Sequence, residues 1–196
     1  MKVAVLCESS GTVRDAFIRN GHEAISCDIS PTERPGPHII GNVMDYDWNK
    51  YDLVISHPPC THLAVSGARW FANKKNEQEE ALRLVAWLLD LDVEHSALEN
   101  PVSIISSRIR KPDQIIQPWQ FGHGERKATC LWLRNLPPLR PTNVVSQRAE
   151  RVHRMRPTRI SWVRSRERSR TYAGIAEAMA EQWGKQTWKY RKFIEE

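Results

Sequence analysis

The residue types best suited to chemistry are a cysteine and a glutamate that each follow a short hydrophobic run. Cys60 comes after the run Leu53-Val-Ile55 and two prolines, and Glu99 ends a second run that begins at Val93. A cysteine thiolate is a nucleophile, and two prolines would present it on a rigid loop. Because the loops that leave the carboxyl ends of parallel strands line the ligand crevice, we expect Cys60 and Glu99 to face the same crevice. The alternative at this point is a half-buried cysteine in a proline turn.

The elements that must position these residues are predicted from hydrophobic patterning. Short apolar runs that alternate with amphipathic stretches predict an α/β domain with a mostly parallel sheet. Strands are predicted at 2–7, 24–28, 38–41, 53–55, 93–98 and 129–133, and helices at 12–20, 77–91 and 173–183. The prolines at 31–37 predict a surface loop, and residues 102–120 receive no assignment. A chain of 196 residues is long enough for one buried core and short for two domains.

A second candidate site is the loop that follows the first predicted strand. Glu8-Ser-Ser-Gly11 joins that strand to a helix, and small residues there let a ligand approach the backbone at the helix N-terminus. The second strand ends at Asp28, and in nucleotide-binding α/β folds an acid at this place binds ribose hydroxyls. The pattern favours a nucleotide-like cofactor beside these two loops. The alternative is that Asp28 only caps a turn before Pro31.

Composition limits the class of protein. The sequence has no apolar run of about 18 residues and no signal-peptide pattern, which predicts a soluble, intracellular protein without a membrane span. The four cysteines are widely spaced with no Cys-x-x-Cys pair, so we expect free thiols and no metal site. The sequence leaves the oligomeric state open, and a homo-oligomer is compatible with it.

The positive charge is concentrated in one segment. From Arg148 to Arg170 there are nine arginines and two glutamates, whereas the net charge of the whole chain is +6. This segment therefore holds the entire excess, and the rest of the chain is close to neutral. Clustered arginines interleaved with His153 and Trp162 are typical of surfaces that bind nucleic acid or nucleotide phosphates. A solvated basic face is the alternative interpretation.

The order of these features resembles the DNA (cytosine-5)-methyltransferase family. Pro58-Pro-Cys60 matches the nucleophile motif of that family without change, and Glu99-Asn-Pro101 stands for its Glu-Asn-Val motif. The first motif of the family, Phe-x-Gly-x-Gly, is matched at Gly11, while Cys7 replaces its aromatic residue and Ser9 replaces its first glycine. The resemblance covers nearly the whole chain.

The later motifs are shorter, and the chain is small for this family. Residues 121–129 lie where the family has Gln-x-Arg-x-Arg, and Tyr172-Ala-Gly174 stands for its closing Gly-Asn motif. A short basic insert at 134–171 takes the place of a large target-recognition domain. Gln117-Pro-Trp-Gln-Phe-Gly-His-Gly124 also resembles small, phage-type cytosine methyltransferases. That resemblance implies a cytoplasmic protein of a bacterial or phage-infected cell.

The resemblance implies a single-domain, Rossmann-like, S-adenosylmethionine-dependent methyltransferase fold over residues 1–196. The implied reaction transfers a methyl group from S-adenosylmethionine to carbon 5 of cytosine in DNA. Cys60 would add to carbon 6, and Glu99, with a pKa raised by burial, would protonate the ring nitrogen N3. Lys127 or Arg126 would supply a cation. The cytosine would have to be flipped out of a duplex or come from a single strand.

Two further groups of residues follow from the same resemblance. The implied cofactor-binding residues are Cys7, Glu8, Ser9, Gly11, Asp28, Ile29, Asn42, Asp45 and Pro58. Asp28 would hold the ribose, Ile29 would lie against the adenine, and Asn42 or Asp45 would lie near the adenine amino group. The implied substrate-binding residues are Pro59, Asn100, Arg126, Arg164, Arg166 and Arg168.

Three other functions stay open from the sequence. Amino-methyltransferases carry an aromatic residue after Pro-Pro, where this chain has Cys60. A non-catalytic protein could keep the cofactor fold and coat DNA or block a host enzyme. An enzyme of this type could also act on RNA or on a cytosine nucleotide.

Overall fold

A computed structural model of the chain describes residues 1–67, 73–149 and 170–185. The strands are β1 (Lys2–Leu6), β2 (Glu23–Asp28), β3 (His38–Ile40), β4 (Leu53–Ser56), β5 (Ser96–Pro101), β6 (Gln114–Ile116) and β7 (Thr129–Arg134). The helices are α1 (Thr12–Arg19), α2 (Lys75–Asp90), α3 (Ile105–Arg108) and α4 (Ala173–Trp183). Most of the predicted basic insert, including Arg164, Arg166 and Arg168, lies outside the described residues.

The seven strands form one sheet in the order β3-β2-β1-β4-β5-β7-β6. Strands β1 to β5 pair in parallel, and β7 runs antiparallel to both of its neighbours. The prediction of a single α/β domain with a Rossmann-like, mostly parallel sheet is confirmed. The strand order reverses between β1 and β4, and in such sheets ligands bind outside the carboxyl ends of the strands at this reversal. The loops after β1 and β4 are the two that the sequence singles out.

Helices cover both faces of the sheet, which explains why the central strands are apolar throughout. Val3 and Val5 of β1 join one core with α1 and α4, while Ala4 and Leu6 join a second core with α2. The strand period of two therefore divides β1 between the two cores. All four of these side chains are fully buried. Strand β1 is thus covered on both faces as far as Leu6, and the first loop begins directly after it.

Strand β5 differs from its predicted bounds of 93–98. It begins at Ser96 and continues to Pro101, so Glu99 and Asn100 lie within the strand rather than after it. The reason is β7, which pairs with β5 as far as Pro101, whereas the pairing with β4 stops at Leu98. The last three residues of β5 therefore extend past the end of β4. This leaves one backbone edge of β5 for the loop that carries Cys60.

Candidate active site at the carboxyl edge of the sheet

The Cys60 loop leaves β4 in an extended form and then turns sharply. Pro58 is buried and Pro59 is exposed, so one proline packs inward while the other lies at the surface. The backbone N–H groups of Leu63 and Ala64 both donate to the Cys60 carbonyl oxygen, at 3.0 and 2.9 Å. Cys60 itself is partly exposed and is not in a disulfide. The sequence thus places this cysteine at the start of a fixed turn with access to solvent.

The same loop is fastened to the extension of β5. The Asn100 side-chain amide donates to the Pro58 carbonyl oxygen at 2.9 Å. Two backbone bonds follow, from Val65 N–H to the Val102 carbonyl at 3.1 Å and from Ile104 N–H to the Leu63 carbonyl at 3.0 Å. Asn100 is 1% exposed, and its amide oxygen has no partner among the described residues. Asn100 therefore holds the Cys60 loop in place.

Glu99 lies at the centre of this arrangement and is paired with a histidine. Its Oε2 atom is 3.1 Å from Nδ1 of His57, the residue that precedes the two prolines. Burial by itself raises the pKa of Glu99, but the His57 hydrogen bond and the positive charge of Lys127 outweigh it, and the pKa is lowered. The expectation of a raised pKa is therefore wrong. His57, which was not among the predicted site residues, and Lys127, which was, stabilise the charged form, and the resting carboxyl group is ionised.

The two predicted cations are placed differently. Lys127 is half-buried and acts electrostatically on Glu99, and its Nζ atom lies 5.7 Å from the ring centroid of Tyr172. Its backbone N–H donates to Oε1 of Gln117 at 3.0 Å, which fixes the segment before β7. Arg126 is exposed, and its backbone N–H bonds to the Ala149 carbonyl at 2.8 Å. Lys127 is therefore the cation at the site, and Arg126 lies on the surface next to it.

Cys7, Cys27 and Cys130 have thiols whose pKa values are raised by burial. Burial raises the pKa of Cys7 to about 12, with a further contribution from the charge of Asp28. Burial likewise raises the pKa of Cys27 and of Cys130 to about 11. A thiol with such a pKa stays protonated near neutral pH and is a poor nucleophile.

The first loop is shaped by Glu8, which is 5% exposed. Its Oε1 atom accepts the Val13 N–H at 2.7 Å and the Ser10 hydroxyl at 3.1 Å, and its Oε2 atom accepts the Arg14 N–H at 3.2 Å. These backbone groups belong to the first turn of α1, so a carboxylate from the chain itself neutralises the positive end of the helix dipole. A second anion, such as a phosphate, would be repelled there. What this loop offers to a ligand is backbone and the half-buried Ser9.

Arg14 of α1 binds the loop between β2 and β3 through its guanidinium group. Its guanidinium group is fully buried and forms an ion pair with Asp15 at 2.7 Å. Its other acceptors are the hydroxyls of Ser26 and Thr32 and the backbone carbonyls of Arg34, Pro35 and Pro37. Gly11, with a φ of +67°, lies so close that a Cβ atom there would stand 2.5 Å from the guanidinium. The predicted surface loop thus has a buried arginine as its support.

The predicted cofactor residues after β2 and β3 lie at the same edge of the sheet. Asp28 ends β2, and its Oδ1 atom accepts the Ser30 N–H at 2.8 Å. Ile29 is 79% exposed, which is unusual for an isoleucine. Asn42 and Asp45 are exposed in the turn after β3, where the Asn42 side chain accepts the Met44 N–H at 3.1 Å. The edge therefore combines an acid, an exposed apolar side chain and polar groups within two loops.

The loop after β2 is hydrogen-bonded to the loop after β1. The Glu33 N–H donates to the Ser9 carbonyl at 2.8 Å, so the loop after β2 lies against the loop after β1. The Glu33 carboxylate forms an ion pair with Arg170 at 2.5 Å. Arg170 is the last arginine of the basic segment. The end of that segment is therefore attached next to the predicted cofactor loop.

The described residues contain neither a candidate metal-binding cluster nor a helix suited to span a membrane. No group of three or more histidine, cysteine, aspartate or glutamate side chains in 1–67, 73–149 and 170–185 is arranged to hold a metal ion. Within the same ranges, no helix is long and apolar enough to cross a membrane.

Sequence reasoning missed His57 and Arg14. The only sequence signal for His57 is its position directly before Pro-Pro-Cys, because its partner Glu99 lies 42 residues away. Arg14 stands on a short helix whose pattern predicts a solvent-exposed position, and nothing local shows that its guanidinium binds a loop about 20 residues later.

Comparisons with known proteins give similarity only among solved structures. The chain resembles a prophage-encoded E. coli protein assigned as a DNA modification methyltransferase, with 13% identity, a TM-score of 0.44 and coverage of 68% of this chain and 46% of that one. It also resembles a triple mutant of Spodoptera frugiperda DNMT2, with 17% identity, a TM-score of 0.44 and coverage of 76% of this chain and 54% of that one. The chain therefore spans about half the length of each. No family model and no curated protein matches it.

Proposed function

We propose that this protein transfers a methyl group from S-adenosylmethionine to carbon 5 of cytosine in DNA through a covalent bond to Cys60. The observation that carries the proposal is the fastening of two motifs by one side chain. Asn100 ties the Pro-Pro-Cys loop to the strand that bears Glu99, with a 2.9 Å bond to Pro58. A partly exposed cysteine in the loop after β4 is thereby fastened to β5, the strand that bears an ionised, buried glutamate. This pair suits addition of a thiolate to an electron-poor ring.

Each side chain would have a separate task in the reaction. The Cys60 thiolate would form a bond to carbon 6, which turns the ring into an enamine whose carbon 5 attacks the methyl group. The Glu99 carboxylate would accept a hydrogen bond from the cytosine amino group and share with N3 a proton taken up as the base binds. Lys127 would balance the negative charge that spreads over the ring. Loss of the proton from carbon 5 would then release the thiolate and break the bond to carbon 6.

The loops after β1 and β2 fit the cofactor of such a reaction. S-adenosylmethionine would supply a methyl group activated by a positively charged sulfur. It carries no phosphate, which agrees with a helix α1 whose N-terminus is already neutralised by Glu8. Asp28 would bind the ribose and the exposed Ile29 would pack on the adenine. Cys7, Ser9 and Gly11 would line the loop, Pro58 would close it, and Asn42 or Asp45 would bind the adenine amino group.

DNA is the proposed substrate because of the arginine-rich segment. Arginines at this density bind phosphates well but specify bases only where a few side chains reach a groove. Arg126 lies on the surface beside Lys127 and would contact the backbone near the site. Pro59 and Asn100 would contact or support the flipped base, and Arg164, Arg166 and Arg168 would bind phosphates. We therefore expect a short or relaxed sequence preference.

The test is nucleoside mass spectrometry after incubation with S-adenosylmethionine and mixed DNA. We expect 5-methylcytosine from the native protein and from Cys130→Ala, whose buried thiol is a matched control, and none from Cys60→Ala. DNA that contains 5-fluorocytosine should form a covalent adduct with the native protein and not with Cys60→Ala. Production of 5-methylcytosine by Cys60→Ala would refute the mechanism. A methyl group on nitrogen 4 would replace it with amino transfer, and binding without methylation would indicate a non-catalytic protein.

A further inference from the structure

The His57–Glu99 pair is buried to an unusual degree for two ionisable side chains. The side chain of His57 is 8% exposed and that of Glu99 is 11% exposed, and Nδ1 lies 3.1 Å from Oε2. Ionisable groups are seldom this buried unless they are paired, because each loses its hydration. The pair joins the first residue after β4 to β5, and that residue lies three positions before Cys60. It is therefore part of the same structural unit as the nucleophile.

The hydrogen bond fixes which ring nitrogen carries the proton. Glu99 is ionised and can only accept, so Nδ1 of His57 must be the donor. The second ring nitrogen, Nε2, is buried and has no partner among the described residues. The Glu99 carboxyl group thus satisfies Nδ1 of His57, while Nε2 is left without a partner among the described residues.

The other titratable groups near Glu99 do not replace His57. Lys127, from the segment before β7, also favours the ionised carboxyl group but is a weaker influence than the His57 hydrogen bond. Cys130, which pairs with Asn100 across β5 and β7, has a thiol with a pKa raised to about 11 and is therefore neutral at physiological pH. Among the described residues, His57 alone forms a hydrogen bond to the Glu99 carboxyl group through its side chain.

We infer that His57 is a positioning residue for Glu99, because its hydrogen bond holds Oε2 and thereby orients Oε1 toward the base. The same bond favours the ionised carboxyl group before the base binds. This inference rests on the proposed function for the identity of the base, a ring with an amino group beside a ring nitrogen. A carboxylate held by one oxygen presents the other in a single orientation. Uracil and thymine offer a carbonyl where cytosine has the amino group, and the charged oxygen would repel it.

The first experiment needs no turnover. The Glu99 carboxyl group is titrated by ¹³C NMR in the native protein, in His57→Asn and in His57→Ala. Removing the histidine removes an influence that lowers the pKa of Glu99, whereas burial continues to raise it, so we expect the pKa to rise in His57→Ala. We expect a smaller rise in His57→Asn, whose amide nitrogen replaces Nδ1 as a neutral donor. His62→Asn, in the same loop, should leave the titration unchanged.

The second experiment separates this inference from the proposed function. His57→Ala should lower kcat for 5-methylcytosine formation by about 10²-fold through misplacement of Glu99, and His57→Asn should recover part of it. If the native protein methylates DNA and His57→Ala alters neither kcat nor the Glu99 titration, the positioning role is refuted. If the titration shifts as expected but the native protein never methylates cytosine, the proposed function fails and the pairing stands. Nitrogen-15 NMR of the native protein offers a check that needs no variant, because a proton on Nε2 instead of Nδ1 would also overturn the inference.

Discussion

Replacing Glu8 measures how much the chain depends on its own anion at the start of α1. In Glu8→Ala, the N–H groups of Val13 and Arg14 lose a charged acceptor inside a buried turn. Hydrogen bonds to charged groups contribute about 1.5 to 3 kcal/mol each, and the helix dipole adds about 0.3 to 1 kcal/mol. Two such bonds predict a loss of about 4 kcal/mol in the free energy of unfolding. Glu8→Gln keeps one carbonyl acceptor without the charge, and we expect a loss of about 2 kcal/mol.

The assay is urea unfolding, followed by circular dichroism. A domain of this kind is stable by about 5 to 15 kcal/mol, so the alanine variant should unfold at a clearly lower urea concentration with an unchanged slope. Glu80→Ala, on the exposed face of α2, is the matched control and should change the midpoint little. A loss below about 1 kcal/mol for Glu8→Ala would show that water or another group satisfies the helix, and the capping argument would be wrong.

Two other substitutions test other parts of the site. Asn100→Ala should lower the free energy of unfolding by about 1 to 3 kcal/mol and speed alkylation of Cys60, because the Pro58 carbonyl loses its donor. Equal alkylation rates in the variant and the native protein would show that Asn100 does not hold the loop. His123 accepts the Gly174 N–H at 2.9 Å in the first turn of α4, and burial lowers its pKa below 6.5 despite the opposing charge of Glu125. The unfolded state therefore binds a proton at a higher pH than the folded state does. The stabilisation from the neutral, buried His123 is complete above pH 6.5 and is lost as the pH falls through the folded-state pKa. As the pH is lowered from about 8 to about 5, the urea midpoint should fall less in His123→Gln than in the native protein. Parallel plots of midpoint against pH for the two proteins would contradict this.

The fold was largely predictable because the central strands are apolar on both faces. Six of the predicted strands overlap observed ones, and the helix at Ala173–Trp183 has the predicted bounds. Strand β6 was missed because its three residues lie within 102–120, where scattered isoleucines around Pro112 show neither a strand period nor a helix period. The antiparallel direction of β7 was not predicted either, because a strand carries the same pattern in both directions. That direction is what extends β5 and puts Glu99 inside it.

The sequence predicts the edge of the sheet at which Cys60 and Glu99 lie, but it does not predict their charges. Both residues lie near the carboxyl ends of neighbouring parallel strands, as the topology of such a sheet requires. The protonation state of Glu99 depends on His57 and Lys127, which reach it from separate segments. Such long-range pairs leave no periodic trace. The same is true of Glu8, whose role as the cap of α1 depends on the path of the backbone between positions 8 and 13.

The buried Arg14 separates the shape of the loop between β2 and β3 from the side chains in that loop. Three of the bonds from its guanidinium go to backbone carbonyls, which every amino acid possesses. The loop can therefore exchange its exposed side chains, and with them its ligand contacts, while a residue in α1 preserves its path. Conversely, a loop transplanted from another protein would keep its shape only if a suitable arginine and the glycine at position 36 came with it. For protein engineering, the unit to move is the loop together with the helix that supports it.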